Sequence, residues 1–433
     1  MTKATLAGAV CGALAFLCAP GSAVAQDAQA PFRMFGVSAD RGVDAFYASR
    51  NGAPLWLSEN GDSRAARELI AVLKRAQVEG FGEGSQIADE AQALMARAST
   101  GDPSALRAAD RMLSTGWVRY VQMLRRPPAG MVYGEQWIAP RPQSSAEILQ
   151  LAAAAPSLDG HVQSIAAVNP MYSALRDAAF AQLQATGVPP DPRILATLER
   201  VRAFPAKGRY VVVDAASARL LMIDGGQVVD SMKVIVGKSD PSTQTPMLAS
   251  VIHYTTLNPY WHVTPDLVRS LIARNVLDQG LGYLKGHGYQ VLSADGSGEM
   301  LDPAKVDWRA VAEGSELVRV RQLPGPGNSM GRIKIGFANS SDIYLHDTPN
   351  KALFAQEDRT LSHGCIRLED AERLGRWLMG REPQTASRDP EQNVLLPKPV
   401  PIYVTYLTAH LDGGQLTFVD DPYGRDNQLA ALR

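Results

Sequence analysis

Residues 362–370 read SHGCIRLED and set Cys365 two positions after His363 and two before Arg367. Nineteen positions before the cysteine, the stretch DIYLHD brings in a second histidine, His346. A thiolate attacks a carbonyl far faster than a thiol does, so a nucleophilic cysteine needs a base or a positive field beside it. His346, at the end of a short expected strand, is the candidate base, provided that the strand end folds back toward the turn carrying Cys365. That turn is expected to lead directly into a helix. His363 and the backbone N–H groups around Gly364 are candidates for holding an oxyanion, because a residue without a side chain lets backbone approach a reacting carbonyl. Arg367, fork-shaped and always charged, suits a substrate carboxylate.

From residue types alone, three readings stay open. Cys365 can be a small buried hydrophobe beside a satisfied strand histidine. His346, His363 and Cys365 can be zinc ligands, although structural zinc sites draw four ligands from paired spacings that do not occur here. The third reading is acyl-transfer chemistry, which needs no metal or other cofactor.

The other two cysteines, Cys11 and Cys18, lie in a segment with the pattern of an export signal: Lys3, an apolar run over residues 6–19, then Ala23-Val24-Ala25. Cleavage after Ala25 is expected. The apolar run is shorter than the roughly 20 residues of a spanning helix, so no stable membrane insertion is expected after cleavage, an uncleaved anchor being the alternative. A periplasmic location follows as the expectation, with Cys365 left without a disulfide partner.

With 43 basic against 44 acidic residues, the chain offers no electrostatic case for nucleic acid or an anionic membrane as partner. A change of character near residue 205 divides the rest. Asp102-Pro103 and Asp191-Pro192 read as helix starts, and Leu106, Ala109, Leu113, Trp117, Tyr120 and Leu124 recur at helical spacing. Leu69, Val72, Leu73 and Ala76 mark another helix, ending at Gly80. From Arg209 onward, RYVVVD, RLLMID, QVVDSMKVIVG, RIKIGF and PIYVTYL read as strands, with a hairpin at Gly225-Gly226. The expected fold is α+β: a helical scaffold over 26–205, a β-rich mixed-sheet catalytic domain over 206–408 and a tail over 409–433. An irregular insertion at about 262–331 would cover one sheet edge as a lid.

SHGCIR preceded by LHD resembles the signature of the L,D-transpeptidases of YkuD type. MKVIVGK followed by QTP, LNPYWHV, RVRQLPGPGNSMGRIKIGF, IYLHDTP and TFVDDPYGRD resemble, in that order, the large Gram-negative branch with a helical scaffold and a capping insertion. FYASRNGAPLW is similar to that branch's scaffold. The resemblance implies Cys365 as nucleophile, His346 as general base and His363 as a neighbour shaping the oxyanion site. It places Tyr344 and Gly364 at that same site and Arg367 facing substrate. Asp347 has no role in the pattern and is expected to be solvent-exposed.

The implied partners are peptidoglycan stem peptides, as donor and acceptor, in 3-3 or 1-3 cross-links. Attachment of an outer-membrane protein, L,D-carboxypeptidase activity and an inactive wall-binding scaffold are the alternatives. Carbapenems are implied as acylating agents. The branch's small peptidoglycan-binding module has no counterpart here, because PMYSALRDAAFAQLQATGVPP runs straight into DPRILATLERVRAF.

Overall fold

The computed structural model describes residues 41–384 and 387–427, so the expected export signal lies outside the described residues. Among the described residues, the first half holds eight α-helices: α1 Arg41–Ser49, α2 Arg64–Arg75, α3 Gly84–Ala98, α4 Pro103–Leu124, α5 Ser145–Ala153, α6 Leu158–Ala167, α7 Pro170–Thr186 and α8 Pro192–Val201. The start signals hold: the Asp102 carboxylate accepts the Ser104 and Ala105 N–H groups, and Asp191 accepts that of Arg193. Past α2 a 3-10 turn stops at Gly80, whose φ of 89° suits glycine. Two buried carboxylates pin the helices. Asp110 of α4 accepts N–H groups from Leu55, Trp56 and Leu57, and Glu79 accepts the Tyr120 and Tyr172 hydroxyls.

Fifteen strands follow in chain order: β1 Val132–Tyr133, β2 Tyr210–Asp214, β3 Arg219–Asp224, β4 Gln227–Gly237, β5 Leu248–Leu257, β6 Trp261–Val263, β7 Tyr289–Ser293, β8 Val318–Gln322, β9 Ile333–Ile335, β10 Leu345–His346, β11 Thr360–Ser362, β12 Ile366–Leu368, β13 Gln392–Thr405, β14 Ala409–Asp412 and β15 Gln415–Phe418. The main sheet runs β1-β5-β13-β2-β3-β4-β12-β10-β9, and β9 also pairs with β5. The mixed sheet therefore closes on itself from β5 round to β9, which leaves the central strands no open edge. The β3–β4 hairpin turns at Gly225 and Gly226, both at positive φ.

The boundary expected near residue 205 is not a clean one. β1, from the helical half, pairs in parallel with β5, and one apolar core runs from Val43 through Trp117 to Tyr403. The insertion, by contrast, has its own core: Val263, Ile272, Trp308 and Val320 pack around the β6-β8-β7 sheet. Its helical stretch, Pro265 to Gln279, has π geometry over Val268–Ala273. The expected tail is folded too, as the β14–β15 hairpin followed by a segment that docks back on the barrel.

Candidate functional site

β10 and β12 are parallel neighbours, with Leu345 opposite Ile366 and His346 opposite Arg367. β9 lies antiparallel on the other side of β10, with Lys334 opposite His346 and Ile335 opposite Leu345. Leu345, Ile366 and Ile335 are fully buried in the core. Strand alternation then turns Lys334, His346 and Arg367 to the opposite face, together with Tyr344 and Cys365 one step earlier on their own strands. No fold-back of the strand end is needed. Cys365 leads into a strand rather than into the expected helix, and that strand's pairing fixes the neighbour relationship. From sheet spacings, the His346 and Cys365 Cα atoms lie roughly 8 Å apart, within reach of an imidazole and a thiol.

His346 is 3% exposed. Its Nδ1 lies 2.5 Å from the Asp347 carbonyl oxygen, which can only accept, so the proton sits on Nδ1 and Nε2 is left as the basic atom. Burial drives its pKa down to about 4, helped by the positive charges of Arg367 and Lys334, while the Asp347 carbonyl opposes the shift. Burial pushes the Cys365 thiol up; the Tyr344 backbone N–H and hydroxyl, Lys334 and Arg367 pull it back. The Cys365 Sγ also lies 3.8 Å from the Asp342 carbonyl oxygen. The Tyr344 hydroxyl is raised well above its usual range by burial and by the adjacent sulfur. Lys334 stands 4.4 Å from the centre of the Tyr344 ring. Burial and the two cations thus keep the imidazole neutral, while those cations and Tyr344 offset part of the burial that holds the thiol protonated.

His363 is exposed on the rim, its pKa lowered by partial burial and by Lys238 and Arg367. Gly364 has φ 110°, where an L side chain is strained, and an added Cβ would stand 3.0 Å from Ile343. Its N–H donates to Ser362 Oγ and its carbonyl accepts from Thr245 Oγ1 at 2.7 Å. Gly364 thus shapes the turn, while the donors that face the sulfur belong to Tyr344. Asp347 is not solvent-facing as expected: its side chain is 13% exposed, bonded to Lys351 Nζ at 2.7 Å and accepting the Arg332 N–H at 3.0 Å. An added Cβ at Gly331 would stand 2.2 Å from its carboxylate, so that close approach is what requires a glycine there.

Cys365, His363, Tyr344 and Lys334 line a cleft of about 840 Å³, whose other walls include Tyr254, Tyr260 and His262. Tyr260 and His262 come from the root of the insertion, and His262 Nε2 meets Glu391 Oε1 at 2.9 Å. Residue types alone missed Lys334. The signal was present, because Ile-Lys-Ile in a strand puts the lysine opposite the core. Among the described residues no group of three histidine, cysteine or acidic side chains is disposed to hold a metal ion.

Comparison with known proteins agrees with this architecture. Residues 208–402 match the family model of the L,D-transpeptidase catalytic domain, YkuD, and residues 41–178 match a scaffold domain. The chain thus carries a domain similar to the L,D-transpeptidase catalytic domain, joined to one similar to that scaffold. A Haemophilus influenzae protein provisionally named an L,D-transpeptidase is 28% identical over 396 residues, covering 88% of this chain and 78% of that protein. An L,D-transpeptidase from Mycobacterium smegmatis of known structure aligns at a TM-score of 0.24 and 15% identity, over 46% of this chain and 60% of that one.

Proposed function

We propose that this protein is a periplasmic peptidoglycan L,D-transpeptidase working through an acyl-enzyme on Cys365. The observation that carries the reading is the single sheet face shared by Cys365, Tyr344, the tautomer-fixed His346 and the two flanking cations, Lys334 and Arg367. In the first half-reaction Cys365 Sγ bonds to the carbonyl carbon that joins an L-centre to a D-residue in a donor stem peptide. Its proton passes to His346 Nε2. The Tyr344 hydroxyl and N–H receive the developing oxyanion. Collapse breaks the C–N bond, and the proton moves from Nε2 to the departing amine. An imidazolium between two cations is a strong acid, so His346 gives the proton up readily.

In the second half an acceptor amine attacks the thioester, loses a proton through His346 and releases the thiol. Water is the competing nucleophile, and the insertion roots at Tyr260 and His262 narrow its approach. Arg367 holds a stem carboxylate and His363 borders the entry. The test is incubation with purified disaccharide-tetrapeptide followed by mass analysis and sequencing of the products. Dimers linked from the third or the first donor residue support the reading and give the cross-link type. Hydrolysed tripeptide alone indicates carboxypeptidase activity, and transfer only to an added outer-membrane protein indicates protein attachment. No turnover of any kind by the folded protein would leave the wall-binding scaffold.

A further inference from the structure

A second cleft, of about 660 Å³, lies where the helical half meets the barrel. Arg125, Arg141 and Arg202 line it, with Trp137 and Phe204, and no acidic side chain does. Arg202 already donates to the Arg126 carbonyl, so the local bias toward an anionic ligand, in a chain almost charge-balanced overall, rests on Arg125 and Arg141. Trp137 is 61% exposed on the short Gln136–Ile138 turn, an unfavourable place for the largest apolar side chain unless something covers it. Its indole is nonetheless held, because Nε1 donates to Glu135 Oε2 at 2.5 Å. The other carboxylate oxygen, Glu135 Oε1, lies 2.8 Å from Nε2 of His253, and His253 lines the cleft of Cys365.

One carboxylate thus ties the two clefts together. The backbone leading to it is pressed onto the barrel: Gly134 N–H donates to the Ala249 carbonyl at 2.8 Å, and a Cβ at Gly134 would stand 1.8 Å from the Ala338 carbonyl oxygen.

We infer that the Trp137–Arg141 cleft docks the glycan strand of the polymeric substrate and so leads an attached stem peptide toward Cys365. The inference rests on the transpeptidase reading and adds a polymer subsite to it. A pyranose ring presents a face of weakly positive C–H bonds, which complements the negative face of an exposed indole. Carboxylates of the peptide substituents on such a strand match the guanidinium forks.

Two variants test the inference, Trp137→Ala and Arg141→Glu. Both positions are exposed, so thermal unfolding should match wild type. Co-sedimentation with purified sacculi should weaken by about tenfold or more in each, as for loss of a central aromatic or arginine contact. Turnover of a soluble tetrapeptide without sugar should stay at the wild-type level. Sedimentation unchanged in both variants would overturn the inference, as would equal wild-type binding to polyglutamate, a carboxylate polymer without sugar. Loss of soluble turnover in either variant would also overturn it, by placing these residues in the reaction rather than in docking. If wild-type protein fails to turn over the soluble substrate while sedimentation still depends on Trp137, the transpeptidase reading fails and the docking cleft stands.

Discussion

Lys334 contributes charge at the site without sitting in the reaction. It faces the cleft beside Tyr344, lowers the Cys365 thiol and also lowers His346. Replacing it as Lys334→Met should slow alkylation of Cys365 by iodoacetamide at pH 8 by several-fold, because less of the sulfur is thiolate. Alkylation as fast as in wild type would remove Lys334 from the account. His346 adds a pH dependence whose sign follows from its depressed pKa. The unfolded chain takes up a proton at about pH 6.5 and the folded chain only near 4. Stability from this residue is complete above pH 6.5 and is lost as pH falls toward 4. His346→Gln should lose less of its urea midpoint than wild type between pH 7 and pH 5. Residue types alone left three readings open for Cys365 and His346, and it was the resemblance of SHGCIR and LHD that singled them out as the proposed pair. The strut formed by Asp347 was not legible, because its partners Lys351 and Arg332 gather only through the fold.

Under the proposed function, the insertion is the element expected to set the product ratio. Two buried amides, Asn328 and Gln322, lock the neck of the insertion around the Gly-Pro-Gly stretch at 325–327. Asn328 Nδ2 donates to the carbonyls of Pro259 at 3.1 Å and Leu323 at 3.0 Å, and its Oδ1 accepts the Met330 N–H. Gln322 Nε2 donates to His287 and Gly327 carbonyls at 3.0 Å. Asn328→Ala leaves those carbonyls unpaired, at a cost of about 1–3 kcal/mol. The variant should still acylate Cys365 but yield a larger share of hydrolysed tripeptide relative to cross-linked dimer. An unchanged share in a folded variant would contradict the water-excluding role. The strand series from Arg209 was readable from its β-branched runs. The ring closure between β5 and β9 was not, since it is a long-range pairing with no local signal.

Across the whole molecule, the C-terminal segment clasps both halves. Arg200 of α8 pairs with Asp426 at 2.5 Å, with side chains 3% and 9% exposed. Arg425 Nη2 donates to the Thr245 carbonyl at 2.8 Å and the Tyr423 hydroxyl donates to the Gly237 carbonyl at 2.6 Å. Thr245 in turn holds Gly364, next to Cys365. Asp426→Ala leaves a buried guanidinium without its counter-charge, for which about 3–5 kcal/mol is usual. Thermal unfolding should move down by several degrees, and turnover at room temperature should fall as the Cys365 turn loosens. A melting temperature equal to wild type would show that the clasp carries no stability. The helical scaffold was legible from capping and periodicity, whereas the folded state of residues 409–427 was not, because its charged and aromatic residues find their partners on distant strands.

Intact mass is the most direct test of the acyl-enzyme. After brief mixing with a soluble donor tetrapeptide and acid quench, wild-type protein should gain the mass of the donor less its terminal D-residue. Peptide mapping should place that mass on Cys365, and Cys365→Ala, folded, should show neither the adduct nor cross-linked product. An adduct elsewhere, or cross-linking by the alanine variant, would contradict the account.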